Sequence, residues 1–298
     1  MAPNNTGDAS FSLVVTNYRC WDMTVKCVNA HLKLENLEEI IIVDDCSGEI
    51  IPEFHDSRVK IIQNPVNLGF VKSVNVGIRN ASQPIVILFD ADAYPLVEYK
   101  RIVSERFSAD PELAMLGFHT YDENGVQTAS FESEPGIWSL ILGQKWYFYF
   151  HKPNIATVDN MIVYSCAVAL RRDAFLQNGG LDEQIDWIDP DVEKCIDLRK
   201  AGWKIDVDER LKAFHKGGGI PQLTSKRVIK QYTSRWYVLS KHGKIRNKAI
   251  SRFFIMMRLQ LEYQALKLIS GMLYPVHIAA DKVSGRKELI TICRKTFI

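Results

Sequence analysis

The chain has 298 residues, of which 47% are hydrophobic and 24% are charged, and its formal net charge is +2. This composition supplies enough apolar side chains for a full core, and the length predicts one large α/β domain or two smaller ones. The polar start MAPNNTGDAS lacks the apolar centre of a signal peptide, and the six cysteines form no C-x-x-C pair. We therefore expect a protein of a reducing cytosol, with neither a structural zinc site nor a redox dithiol.

The small net charge hides a strong asymmetry along the chain. Residues 226–298 hold 16 Lys and Arg against 3 Asp and Glu, whereas residues 1–225 hold 21 against 32. An acidic body with a basic appendage predicts that the appendage contacts phosphate groups, either of lipid or of nucleic acid. We place a boundary near residue 225 and expect a loose tail over residues 1–10.

Apolar runs alternate with helical patterns in the first third of the chain, which predicts βαβ units and a parallel sheet. In chain order we expect a strand over Phe11–Val15, a helix over 22–34, strands over Ile40–Val43 and Val59–Ile62, a helix over 70–81 and a strand over Ile85–Phe89. Three of these strands end in Thr or Asp, so these polar side chains should share one edge of the sheet. In open α/β sheets that edge binds the ligand.

Two carboxylates follow the last of these strands, in the sequence Asp90-Ala91-Asp92. Five successive apolar residues are typical of a strand buried on both faces. Two carboxylates at the end of this strand can share one divalent cation. Proteins bind diphosphates through such a cation. The alternative is an Asx turn that ends the strand.

The sequence lacks the glycine-rich signatures of two large nucleotide-binding classes. Thr16-Asn17-Tyr18-Arg19 stands where G-x-G-x-x-G would follow the first strand, and no P-loop motif is present. This excludes a Rossmann dehydrogenase and a P-loop NTPase. A bound diphosphate would therefore be held by a metal rather than by a glycine-rich loop.

Several segments, in order and spacing, resemble a known family: VVTNYR, IIIVDDCS, NPVNLGFVKSVNVGI, LFDADAYP and the later SCAVALRRDAFLQNGGLDEQIDWIDPDVEKCIDLRKAGWKIDVDERLKAFHKGGG. The family is the family 2 inverting glycosyltransferases of GT-A fold, and the nearest branch is the bacterial rhamnosyltransferase-like one. The resemblance covers about residues 11–219. It implies an α/β fold with a mixed, mainly parallel sheet flanked by helices. Residues 11–115 would form the nucleotide-binding half and 116–225 the acceptor half, with 226–298 as a basic helical extension.

The resemblance also implies a donor site. Thr16 and Asp44 would line the pocket for the base and ribose, and Asn67, Gly69 and Asn75 would form a block beside the nucleotide. Asp44 suits an imide N–H because a carboxylate only accepts hydrogen bonds; a strand-end turn is the alternative. Gly69 would take a positive φ or allow backbone to approach the ligand, and an ordinary loop is the alternative for Asn67 and Gly69.

A metal centre is implied at three positions. Asp92 would be the principal ligand, Asp90 would be a second ligand that also faces the nucleotide, and His215 would reach back to the same metal. An imidazole nitrogen suits Mn²⁺ better than Mg²⁺, so the expected cofactor is Mn²⁺ or Mg²⁺. The alternative for His215 is an ordinary structural histidine after a strand.

Asp191 is the implied catalytic base, as the second acid of the Glu-Asp pair of the family. In this chain Pro190 replaces the first acid. A local explanation is also available: Asp189 as N-cap, Pro190 as the first helical residue and Asp191 as a first-turn charge, in a helix that ends at Gly202. The helix N-terminus would then favour ionised Asp191. The triplet 165–167, Ser-Cys-Ala, departs from the Gly-Ala-Ala usual near the donor sugar.

The basic appendage contains an apolar stretch over residues 253–279, interrupted by Arg258, Glu262 and Lys267. Such charges disfavour a membrane span and favour an amphipathic helix at an anionic membrane surface. A helix packed on the catalytic domain is the alternative. No nucleic-acid-binding module is recognisable, and we expect no nucleic-acid partner.

The expected function is metal-dependent, inverting transfer of a sugar from a nucleoside diphosphate-sugar to a hydroxyl of a cell-surface glycan or lipid-linked acceptor. The expected location is the cytoplasm or the inner face of the cell membrane. Two alternatives stay open. A non-catalytic synthase subunit that binds membrane is suggested by Pro190 and the basic appendage. A sugar nucleotidyltransferase would need a Gly- and Lys-rich loop after its first strand, and the sequence has none.

Overall fold

The structure is a computed structural model of the chain; it describes residues 10–33, 37–143, 146, 147, 149, 157, 159–215 and 224–297. The chain divides into two compact units. The first unit comprises Met1–Ser133 and Ala156–Gly219, and the second comprises Glu134–Ile155 and Ile220–Ile298. The functional boundaries drawn from the sequence at residues 10, 115 and 225 stay predictions.

The first unit is built on a nine-stranded mixed sheet and a two-stranded sheet, β8-β9. The strands are β1 Phe11–Asn17, β2 Leu37–Asp44, β3 Val59–Gln63, β4 Ile85–Asp90, β5 Ala93–Pro95, β6 Leu113–Tyr121, β7 Gln127–Thr128, β8 Phe131–Ser133, β9 Met161–Val163, β10 Ala167–Arg171 and β11 Lys204–His215. The larger sheet has the order β3-β2-β1-β4-β10-β6-β11-β5, with β7 paired to β6.

The parallel half of this sheet, β3-β2-β1-β4, is the half expected from the sequence. The apolar residues of β1, β2 and β4 are buried because helices cover both faces of a parallel sheet. The described helices of the unit are α1 Trp21–Leu32, α2 Phe70–Asn80, α3 Lys100–Ala109, α5 Arg172–Gln177 and α6 Pro190–Lys200. The α/β fold with a mixed sheet flanked by helices is thereby confirmed.

Strands β5 and β11 bring a distant part of the chain to the end of β4. Strand β5 starts one residue after Asp92 and pairs antiparallel with the end of β11, where His215 lies opposite Ala93. The register of β11 against β6 shifts between Val207 and Lys212. Such an irregularity changes the direction of the strand beyond it. Here the part of β11 beyond the shift carries His215.

The second unit is helical in its described residues. It contains α4 Trp138–Leu142, α7 Thr224–Lys241, α8 Lys248–Leu273 and α9 Val276–Thr296. Its core includes Leu140, Trp236, Leu239, Leu259 and Leu289. Among the described residues, no helix has both the length and the apolar character needed to cross a membrane.

The single helical stretch expected over residues 253–279 is wrong in its extent. Helix α8 ends at Leu273, and α9 begins at Val276. Tyr274 between them is extended, with φ −137° and ψ 152°. Pro275 explains the break, because proline lacks an N–H and disfavours helical backbone in the residue before it.

Candidate active site

Strand β4 ends at Asp90, and Asp92 follows in the turn to β5. The backbone N–H of Asp90 donates to the carbonyl oxygen of Cys166 at 3.0 Å. Asp90 also lies opposite Thr16 in the β1–β4 ladder. The carboxyl ends of two parallel strands therefore carry Thr16 and Asp90 at one edge, as the sequence predicted.

His215 completes an arrangement suited to a divalent cation. Its Nε2 lies 3.5 Å from Asp92 Oδ1 and 3.8 Å from Asp90 Oδ2. One ligand atom from each residue lies within 4.8 Å of the others, and all three side chains are partly exposed. Two carboxylates and one imidazole form a donor set that fits Mn²⁺, since the nitrogen ligand disfavours Mg²⁺ and Ca²⁺. The expected divalent-metal triad is thus present.

The pKa values of Asp90 and His215 are shifted by burial and by the neighbouring charges of the triad. Burial raises the pKa of Asp90 to about 6; the charge of His215 opposes this increase and the charge of Asp92 adds to it. Burial lowers the pKa of His215, but the hydrogen bond to Asp92 and the charges of both aspartates outweigh it, so this pKa is raised. A bound cation would favour ionised carboxylates and a neutral imidazole, so its binding should release protons.

Asp191 lies in the first turn of α6, directly after Pro190. Burial raises the pKa of Asp191 to about 7, although the hydroxyl and backbone N–H of Ser165 favour the ionised form of the carboxyl group. The charges of Asp90 and Asp189 raise it further. The expectation that the helix N-terminus keeps Asp191 ionised is therefore wrong, because burial outweighs the helix end. Asp191 Oδ1 is shielded from solvent and accepts no hydrogen bond within the described residues.

Asp189 occupies the N-cap position, but it does not cap α6 through its side chain. Its backbone is left-handed, with φ +66° and ψ 16°. Aspartate is one of the few residues that tolerate this conformation. Asp189 is thus the N-cap residue suggested by the sequence, without the side-chain hydrogen bond typical of that position, and the expected helix start at Pro190 is correct.

The other predicted nucleotide contacts have different surroundings. Asp44 is buried, and its carboxylate accepts from Asn17 Nδ2 at 2.8 Å and from the backbone N–H of Ser47 at 3.4 Å. The second contact is the strand-end turn named above as the alternative. Asn67 is exposed, and Gly69 has the expected positive φ, +85°. Contact of any of these residues with a nucleotide stays a prediction.

Asn75 connects parts of the protein chain to each other. Its Nδ2 donates to the carbonyl oxygen of Leu181 at 2.9 Å, and its Oδ1 accepts from the backbone N–H of Leu181 at 2.8 Å. A Cβ on Gly180 would lie 2.6 Å from that Oδ1, so glycine is required there. Asn75 is 1% exposed. Its predicted nucleotide contact is therefore not favoured by the geometry, because the chain itself occupies the amide.

Two residues of the site region were missed by the sequence reasoning. Ser165 enters the sequence analysis only as a departure from the family, yet its hydroxyl and backbone N–H lower the pKa of Asp191. Asp45 holds the loop before α2: its Oδ1 accepts from the backbone N–H of Leu68, and its Oδ2 accepts from that of Gly69, both at 2.8 Å. The available signal is the pair of adjacent aspartates, Asp44 and Asp45, at the end of β2, of which the sequence analysis gives a role only to the first.

Comparisons with known proteins identify the sequence family and the fold. Residues 12–179 match the family model described as "Glycosyl transferase family 2". No curated protein matches the chain. The mannosyltransferase PcManGT from Pyrobaculum calidifontis, solved with GDP-Man and Mn²⁺, is 14% identical, with a TM-score of 0.60 over 99% of this chain and 89% of that chain.

A second solved structure, GalNAc-T7 with UDP, GalNAc and Mn²⁺, is 15% identical, with a TM-score of 0.54 over 79% of this chain. The match spans 52% of that protein, about half of its length. At these identities the two structures show a shared fold. The family model covers more than half of the sequence, and the chain therefore belongs to glycosyl transferase family 2.

Proposed function

We propose that this family 2 glycosyltransferase moves a sugar, with inversion, from a nucleoside diphosphate-sugar to a hydroxyl of a cell-surface glycan or lipid-linked acceptor. The observation that carries the proposal is the cluster of Asp90, Asp92 and His215, whose ligand atoms lie within 4.8 Å of one another. The candidate base beside it is buried Asp191, whose pKa is raised to about 7 and responds to the charge of Asp90. A general base is most effective when its pKa lies near the working pH. Asp191 has this property in a site that also offers a ligand set for a divalent cation.

Asp90, Asp92 and His215 would hold Mn²⁺ or Mg²⁺. When bound, the cation would neutralise negative charge on the diphosphate leaving group. Thr16 would contact the nucleoside from the neighbouring strand end, together with Asp44. Asn67 and Gly69 would border the nucleotide from the loop before α2, which Asp45 holds in place.

In the proposed reaction the acceptor oxygen bonds to the anomeric carbon from the face opposite the diphosphate. Asp191 accepts the hydroxyl proton as this bond forms. The bond between the anomeric carbon and the diphosphate oxygen breaks, and its electron pair leaves with the diphosphate. One displacement inverts the anomeric configuration. Ser165, which favours the ionised form of Asp191, would help to position that carboxyl group during the transfer.

The donor class is supported by two proteins of similar fold, one solved with UDP and the other with GDP-Man. Uridine and guanosine diphosphates are therefore the first nucleotides to test. Within family 2 we propose the rhamnosyltransferase-like branch, because of the resemblance of the late segment over residues 165–219, which contains His215. We propose action in the cytoplasm, at the inner face of the membrane.

A non-catalytic role is the second candidate, and the observation behind it is Pro190 in place of an acid. The clustering of Asp90, Asp92 and His215 argues against it, since a protein that only binds a synthase has no use for that ligand set. The raised pKa of Asp191 argues against it for the same reason.

Two measurements test the proposal. A thermal-shift screen with Mn²⁺ and the diphosphates of uridine, thymidine and guanosine should find one base that stabilises the protein, since a ligand at 100 times its Kd adds about 2.7 kcal/mol. NMR of the transfer product should then show the anomeric configuration opposite to that of the donor. A retained configuration would contradict the single displacement.

A further inference from the structure

Helix α8 has an exposed apolar stripe in addition to its buried face. Ser251, Ile255, Leu259 and Ser270 are buried. Elsewhere on the helix, a set of apolar side chains repeats at intervals of three, four or seven residues: Ile250, Phe254, Met257, Leu261, Leu268 and Met272. Residues at such intervals share one helix face. We call these six residues the apolar stripe.

The stripe is unusually open to solvent. Leu261 is 65% exposed, Leu268 81% and Met272 86%. Scattered exposed apolar residues are normal, but a continuous row along one helix marks a contact surface. The stripe therefore needs an occupant that accepts large apolar side chains.

Two arginines identify the occupant. Arg252 and Arg294 line one groove together with the stripe residues Met257 and Leu261 and with Phe253. Arg252 Nη2 donates to the carbonyl oxygen of Arg294 at 2.9 Å. Within the described residues neither guanidinium has a carboxylate partner. Two guanidiniums without a carboxylate partner in one groove favour an anionic ligand, and Arg binds phosphate with particular strength.

The positive charge of the surrounding chain also favours an anionic ligand. Residues 226–298 carry 16 Lys and Arg against 3 Asp and Glu. Two of these acids are already engaged: Glu262 pairs with Arg258 and Arg286, and Asp281 accepts from Ser225 Oγ. A second copy of so positive a surface would be repelled by the first. An anionic phospholipid surface is attracted instead.

We propose that the apolar stripe of α8 enters the interfacial layer of an anionic bilayer, with Arg252 and Arg294 binding lipid phosphate at its edge. This deepens the membrane location given under the proposed function, and its test does not depend on glycosyl transfer. A helix with apolar side chains on one face and basic groups beside them lies in the plane of the interface.

The test is sedimentation of the full-length protein with phosphatidylcholine vesicles, with and without phosphatidylglycerol. The wild type should sediment with the anionic vesicles. Leu261→Glu with Leu268→Glu should weaken this binding more than tenfold, because it places charge in the stripe. Arg252→Gln with Arg294→Gln should reduce the preference for anionic over neutral vesicles by about fivefold for each arginine.

Matched controls change exposed residues of the first unit. Val126→Glu and Arg101→Gln alter side chains that are 60% and 79% exposed and should bind vesicles like the wild type. Asp191→Asn should also bind like the wild type, so that loss of transfer and loss of membrane binding are separable. Circular dichroism checks that each variant is folded.

Four results would overturn the proposal. The first is failure of the wild type to sediment with anionic vesicles. The second is unchanged binding by the double Leu→Glu variant. The third is a wild-type protein that does not bind vesicles but forms a dimer in light scattering, with the double Leu→Glu variant monomeric. That result would make the stripe an interface between copies. Inorganic phosphate and chloride at equal ionic strength should weaken binding equally, and displacement by phosphate alone would indicate a free-phosphate site instead.

Discussion

His215 Nε2 lies 3.5 Å from Asp92 Oδ1, because β11 pairs antiparallel with the short strand that begins just after Asp92. The pairing joins the metal-binding turn after β4 to the last strand of the first unit. Both the proposed metal chemistry and the order of the sheet depend on this contact.

Asp92→Ala should remove the metal dependence of nucleotide binding. We expect Mn²⁺ to strengthen the binding of a nucleoside diphosphate to the wild type more than tenfold, or 1.4 kcal/mol, and to have no such effect on the variant. Titration calorimetry with Mn²⁺ or with chelator measures this. Asp173→Ala removes a carboxylate whose side chain is 74% exposed and serves as the control. Equal affinity of the wild type in Mn²⁺ and in chelator would contradict the metal site.

His215→Asn should change which metal is preferred. The substitution replaces an imidazole nitrogen by an amide oxygen, and oxygen ligands suit Mg²⁺. We expect the ratio of Mn²⁺ to Mg²⁺ affinity to fall about tenfold, while binding to both metals weakens. His55→Asn, at an exposed position, should leave the ratio unchanged. An unaltered ratio in His215→Asn would show that the histidine does not coordinate the metal.

Ser165→Ala should shift the pH dependence of transfer. The base must be ionised to accept a proton, so kcat/KM should rise with pH through the pKa of Asp191, which is about 7. The Ser165 hydroxyl favours the ionised form, and its loss should raise that pKa and move the rise to higher pH. Ser165→Thr keeps the hydroxyl and should retain the wild-type profile. An unchanged pH profile in Ser165→Ala would contradict the positioning role of Ser165.

The parallel half of the sheet was predictable from the sequence because each buried strand is a continuous apolar run that ends in a polar residue. Ile85–Phe89 followed by Asp90 is the clearest case, and its strand extends only one residue beyond the predicted end. The place of β10 between β4 and β6 was not predictable, since antiparallel insertion of a late strand leaves no local signal.

The site was predictable where the family resemblance supplied the positions, and less so where burial decides the chemistry. The raised pKa of Asp191 is not predictable from the sequence, because the helix start is visible there, whereas the burial of the carboxyl group is a property of the folded chain. Asn75 shows the same limit. Its position was recognised, but its partner Leu181 becomes a neighbour only after folding.

Asp45→Ala should destabilise the first unit and loosen the loop before α2. The carboxylate of Asp45 accepts from Asn64 Nδ2 at 2.9 Å and from the backbone N–H groups of Leu68 and Gly69 at 2.8 Å. Loss of hydrogen bonds to a buried charged group that leaves donors unpaired costs about 1–3 kcal/mol. Urea unfolding measures the change. Asp122→Ala, in an exposed turn, is the control, and equal stability of the two variants would contradict the role given to Asp45.

Asp191→Asn tests the central claim most directly, through the turnover rate measured at saturating donor and metal. The variant keeps the shape of the side chain and removes the proton acceptor. Turnover should fall by about 10²–10⁴, with nucleotide and metal affinity near those of the wild type. Asp189→Asn should cost far less, because asparagine also tolerates the left-handed backbone of that position. Wild-type turnover in Asp191→Asn, or a larger loss in Asp189→Asn than in Asp191→Asn, would contradict the assignment of Asp191 as the base.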